Sequence, residues 1–232
     1  CPSPAFCPVP DPLSVNRSRL RSTIIPAGQA LSTSARRAHW PSLFNATGRG
    51  DARFSPVRSG GVIPTLYLSV TDTVALLETT LHEVVPTGGM VVDPTLDLAP
   101  WILAKVRAPF AIRLVDLRDD ALARLGLRRS QLASSSPAHY PCTREWAAAL
   151  RNQVIGGQDT FGLIWNSRIA ELGSAASAVL ADVDSEVCVL FGDALPTDAE
   201  TWGAEVLYDD LTAGPGLTHV EEIVTLLGGT IA

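Results

Sequence analysis

Apolar positions along the chain recur at two different spacings, and these lay out its elements. Leu66, Tyr67 and Leu68 form a short apolar run, after which Val74, Leu77, Leu81 and Val84 recur at helical spacing. The pattern predicts a strand over 66–69 and a helix from about Asp72, a good N-cap residue, to Val84. Downstream, "ILAKVRA" and "FAIRLVDL" read as two strands broken at Pro109. "DDALARLGL" reads as a short helix opened by Asp119 and Asp120, and "PCTREWAAALRNQ" as a second, amphipathic one. "FGLIWNS" and "SEVCVLFGD" read as strands, and "HVEEIVTLLGG" as a closing helix stopped by glycines. Residues 1–40, rich in Pro, Ser and Arg, read as an irregular lead-in with at most one strand, around Ile24-Ile25, and the glycine-rich stretch that follows reads as a loop with Arg53-Phe54 as a short strand. Residues 41–232 show no repeat and no linker. The expectation is one mixed α+β domain.

Composition narrows the functions available. A chain of 232 residues can bury one good core. Its net charge of −6 argues against nucleic acid, which requires a basic footprint. It leaves room for a small anionic ligand held by a few local arginines. No apolar run approaches the roughly 18 residues that span a bilayer, and no charged-then-apolar lead reads as a signal peptide. The four cysteines, Cys1, Cys7, Cys142 and Cys188, lack metal-ligand spacing. Cys142 and Cys188 are expected to be reduced and buried, in a cytoplasmic protein.

One position stands out. On the predicted helix Glu78 lies about 40° around from Val74, flanking the buried stripe, and His82 follows one turn later on the same side. Alone, each has an ordinary explanation: Glu78 a solvated edge carboxylate, His82 a boundary histidine, Tyr67 a core aromatic and Arg53 a solvated loop cation. Together with their surroundings they say more. The segments "GRGDARFSP", "LYLSVTDTVALLETTLHEV", "LAKVRAPFAIRLVDLRDDALARLGL", "YPCTREWAAAL" and "FGLIWNSRIA" resemble, in order and separation, the RES-domain family, named for its Arg, Glu and Ser. The resemblance covers roughly residues 40–195. It puts the family arginine on Arg53, the tyrosine on Tyr67, the glutamate on Glu78 and the serine on Ser167. Two features depart from it: the link between Arg53 and Tyr67 is long, and "FS" follows the arginine where the family has "FN".

The resemblance implies a catalytic domain over 41–232 with an ADP-ribosyltransferase-like RES fold, its mixed, mostly antiparallel sheets flanked by helices. It implies a toxin of a bacterial toxin–antitoxin pair that cleaves the nicotinamide–ribose bond of NAD+, its substrate, as a glycohydrolase or phosphorylase. In that reading Glu78 steadies the ribosyl cation, Arg53 pairs with the pyrophosphate or a ribose hydroxyl, Tyr67 frames the nicotinamide, and Ser167 contacts ligand or orients Glu78. Arg168 and His82 are further ligand-binding candidates. A cognate antitoxin is the expected partner; no metal, nucleic acid or membrane is expected, and homodimerisation stays open. Transfer of ADP-ribose to a protein, and a catalytically silent module that binds an NAD-like ligand, are the alternatives. A metal hydrolase finds no HExxH-like spacing among His39, His82, His139 and His219, and a serine hydrolase no G-x-S-x-G elbow.

Overall fold

A computed structural model of the chain describes residues 7–82, 91–167 and 184–232. Its main sheet is built from β1 (Ser22–Ile25), β2 (Ala30–Arg36), β3 (Thr65–Ser69), β4 (Trp101–Arg107), β5 (Ile112–Asp116), β6 (Gly162–Asn166), β7 (Glu186–Phe191) and β8 (Gly203–Tyr208). The spatial order is β1-β5-β6-β7-β3-β2-β4-β8. Neighbours run antiparallel except β5 and β6, which pair in parallel. Among the described residues the α-helices are α1 (Asp72–Glu78), α2 (Asp119–Arg124), α3 (Tyr140–Leu150) and α4 (Gly214–Leu226). Among the described residues no helix is long and apolar enough to cross a membrane.

The sheet is buried on both faces, which is why its inner strands read as unbroken apolar runs. Val115, Leu163, Trp165, Val187 and Val189 share one core with Val74 and Leu77 of α1, Trp146 of α3 and Val220 of α4. The alternate residues Leu68, Leu114, Ile164, Cys188 and Leu190 join Phe44, Leu195 and Trp202 in a second core on the opposite face. Each fully buried aliphatic side chain contributes about 1.5–3 kcal/mol. Close approach fixes Gly162 in β6, where an added Cβ would lie 2.2 Å from the Val189 carbonyl oxygen.

Three sequence expectations need correction. The lead-in is not irregular: it supplies β1 and β2, and β2 lies inside the sheet between β3 and β4. The strand was hidden because its buried positions carry hydroxyls, with Ser32 at 0% and Ser34 at 5% exposure. Ser32 Oγ donates to Asp72 Oδ1 at 2.6 Å and accepts from Lys105 Nζ at 2.8 Å, and Ser34 Oγ meets Thr80 Oγ1 at 2.6 Å. Satisfied hydroxyls cost little to bury. Burial pushes the Asp72 carboxyl up, but the bonds from Lys105 and Ser32 outweigh it and hold the group below its ordinary range.

Helix α1 is also shorter than expected. Its N-cap is Thr71, whose Oγ1 accepts from Val74 N at 3.3 Å, and it ends at Glu78. Thr79 leaves the helical region (φ −125°, ψ −76°) and its hydroxyl donates back to the Ala75 carbonyl. The β-branched pair Thr79-Thr80 suits that exit. Leu81 remains fully buried, its N–H reaching Leu76 O at 2.8 Å, while Val84 lies outside the described residues. Finally, the expected strand at Arg53-Phe54 is a turn between Ala52 and Ser55, and the following strand pair is Val57–Arg58 with Val62–Ile63.

Candidate active site

Five of the six residues singled out in the sequence fall in described regions, and all five gather on the helix-bearing face of the sheet; Arg168 lies outside the described residues. Glu78, at the last position of α1, is half-buried. Ser167 follows the end of β6, is 0% exposed, and its Oγ donates to Glu78 Oε1 at 2.5 Å. Its backbone N–H donates to Ser185 O at 2.7 Å. A fully buried hydroxyl on a strand end therefore aims a carboxylate that keeps partial access to solvent. Such charge-assisted bonds are the stronger kind.

Tyr67 projects from β3 beside Trp165 of β6, ring centroids 6.0 Å apart and edge-on, and Trp165 also packs edge-on with Phe54 at 4.8 Å. The Tyr67 hydroxyl accepts from Phe54 N at 3.1 Å. Burial pushes its phenol well above the ordinary value, against hydrogen bonds from Ser55 and Phe54 and the charge of Arg53, so it stays neutral.

Arg53 is buried, at 6% exposure. Its Nη1 donates to Leu132 O at 3.2 Å, Ser135 O at 2.8 Å and Ser135 Oγ at 2.9 Å, and its guanidinium carbon stands 5.2 Å from the Tyr140 ring centroid. Thr143 of α3 donates to the Arg53 carbonyl. Arg53 thus ties the 132–135 loop to the start of α3. His82 reaches the same wall, its Nε2 3.3 Å from the Tyr140 hydroxyl.

The RES domain matches over residues 30–200. The chain belongs to the RES-domain family. Among solved structures, a chain in the crystal structure of the M. tuberculosis MbcT-MbcA toxin-antitoxin complex shares the fold of this RES domain. The TM-score is 0.51 at 12% identity, covering 84% of this chain and 91% of that one. No curated protein matches.

Two further residues at this candidate site were not singled out in the sequence. Tyr140, 2% exposed, joins His82 to Arg53. Arg129 donates from Nη2 to Asn166 O at 3.0 Å and Ser167 O at 3.2 Å. Burial holds the Arg129 guanidinium below its ordinary range, with Arg53 adding to the effect and Asp119 and Glu78 opposing it. Neither residue belongs to a local pattern; only the neighbourhood of "YPCTREWAAAL" points toward Tyr140.

The cysteines also differ from expectation. Cys7 and Cys188 are free cysteines, the latter buried, but Cys142 is disulfide-bonded. The first described residues fold against α3, where Trp146 Nε1 donates to Pro10 O at 2.7 Å and Cys7 Sγ lies 3.2 Å from Cys142 Sγ. Cys7, His139 and Cys142 have metal-ligand proximity, yet a sulfur in a disulfide cannot serve as a thiolate ligand.

Proposed function

We propose that this RES-domain protein cleaves the bond between nicotinamide and ribose in NAD+. The observation that carries the reading is the 2.5 Å bond from fully buried Ser167 to half-buried Glu78. As the bond to nicotinamide opens, both bonding electrons leave with the pyridine, which departs neutral and needs no acid. The difficult species is the ribosyl cation. A carboxylate fixed beside it stabilises that charge without reorganising, and it can also hold the 2′-hydroxyl. In this reading Ser167 sets the carboxylate's orientation, Tyr67, kept neutral, frames the nicotinamide, and His82 and Tyr140 close one wall. Arg53 contributes its permanent charge where the diphosphate would lie, with Arg168 as a further candidate for that contact.

Water as acceptor makes the protein a glycohydrolase, and inorganic phosphate makes it a phosphorylase; transfer to a protein side chain shares the same first step. The structural match to a chain of a toxin–antitoxin complex supports a toxin that would deplete NAD+ and be held in check by a cognate antitoxin. The test is nicotinamide release from NAD+ by wild type and Glu78→Gln. Free ADP-ribose and ADP-ribose 1″-phosphate are quantified with and without phosphate, and labelled NAD+ is followed onto protein. Glu78→Gln should lose on the order of 10² or more in rate at unchanged melting temperature. A Glu78→Gln protein turning over NAD+ at the wild-type rate would end the assignment.

A further inference from the structure

We infer that Arg129 is a positioning residue for Glu78, acting through Ser167; the inference rests on the reading of Glu78 given above. The last ladder pair between β6 and β7 is Asn166 with Glu186, so the Ser167 carbonyl lies just past the sheet. Arg129, at the start of a short 3-10 turn after α2, spans this strand end with Nη2 at 3.0 Å from Asn166 O and 3.2 Å from Ser167 O. Both bonds come from Nη2, whose two hydrogens are held in the plane of a permanently charged guanidinium, whereas a lysine ammonium rotates freely on a flexible stem.

Ser167 is thereby held on both sides of its peptide, its N–H on Ser185 O at 2.7 Å and its carbonyl on Arg129. With the backbone fixed, one torsion separates it from the hydroxyl that meets Glu78 at 2.5 Å. Glu78 needs such a guide because it closes α1, and Thr79 beyond it has left the helix. The Arg129 charge also acts electrostatically on both Glu78 and Arg53, which places it within the same cluster. Arg129 side-chain exposure of 18% fits a group seated behind the serine. Arg129 therefore braces the end of β6, and Ser167 carries that placement across to Glu78 at the end of α1.

The test measures nicotinamide release for wild type, Arg129→Gln, Arg129→Lys, Ser167→Ala and the Arg129→Gln/Ser167→Ala double variant, with melting temperatures for each. A crystal structure of Arg129→Gln accompanies them. Misplacing the carboxylate should lower kcat on the order of 10- to 100-fold in Arg129→Gln, with KM nearly unchanged. Arg129→Lys, which keeps the charge but not the planar guanidinium, should recover part of the loss. The double variant should be no slower than Ser167→Ala, because both changes break one chain of contacts. In the Arg129→Gln crystal, Ser167 Oγ should have left Glu78. Multiplicative losses in the double variant, a change in KM alone, or an intact Ser167–Glu78 contact in that crystal would each overturn the role. Wild type that releases no nicotinamide refutes the NAD+ reading, and the crystal structure then decides the role of Arg129 by itself. Should Arg129→Gln fail to fold, the Arg129→Lys crystal and kinetics carry the same comparison.

Discussion

Replacing Arg53 by methionine separates a structural from a purely ligand-binding role for the family arginine. Methionine keeps most of the aliphatic stem and removes the guanidinium. Three acceptors, Leu132 O, Ser135 O and Ser135 Oγ, then lose their common donor Nη1 in a site 6% exposed. Hydrogen bonds to a charged group are worth about 1.5–3 kcal/mol each. One nitrogen with two hydrogens supplies two full bonds, so the loss is about 3–6 kcal/mol. For a chain of this length each kcal/mol moves the melting temperature by about 2–4 °C, giving a drop between about 6 and 24 °C. Calorimetry and far-UV circular dichroism on wild type, Arg53→Met and Glu78→Gln make the comparison, with Glu78→Gln expected within about 2 °C of wild type. If Arg53→Met also melted within about 2 °C of wild type, the loop tether would be energetically idle and the argument wrong.

Two further outcomes follow from burial alone. Burial pushes the Cys188 thiol up from its ordinary 9.0 to about 12. The unfolded chain therefore sheds this proton first; the stability it contributes is complete below pH 9.0 and drains away as pH rises toward 12. Its share is about 1.4 kcal/mol per pH unit within that window. Urea unfolding of wild type and Cys188→Ala across it should show the steeper decline in wild type, and parallel curves would contradict the assignment. Gly162→Ala should destabilise by about 3 kcal/mol, the upper end of the overpacking range, because the new Cβ meets the Val189 carbonyl at 2.2 Å; unchanged denaturant midpoints would refute this.

Strands announced by continuous apolar residues, such as β7 with Val187 to Phe191, were legible because both of their faces are buried. β2 was not, since Ser32, Thr33 and Ser34 look like loop residues until Asp72, Lys105 and Thr80 are seen to satisfy two of their hydroxyls. β8 was missed for the opposite reason: an edge strand with Glu205 in its middle has little apolar signal. The resemblance offered Ser167 as a contact for ligand or for Glu78, and the structure shows a bond between Ser167 and Glu78. Arg129 was illegible, because a guanidinium nitrogen on two backbone carbonyls leaves no trace in the identities of the residues it holds.

The strand order carries a consequence for synthesis. β3 leads into Glu78, yet one of its two neighbours is β7, more than a hundred residues later. The other neighbour, β2, meets it at a single register pair, Ser32 with Ser69. A nascent chain emerging from the ribosome thus cannot seat β3, or align its acid with Ser167, until nearly everything has been translated. A product that ends before β7 lacks the neighbour that seats β3, so Glu78 and Ser167 meet only in a chain that has run past that strand.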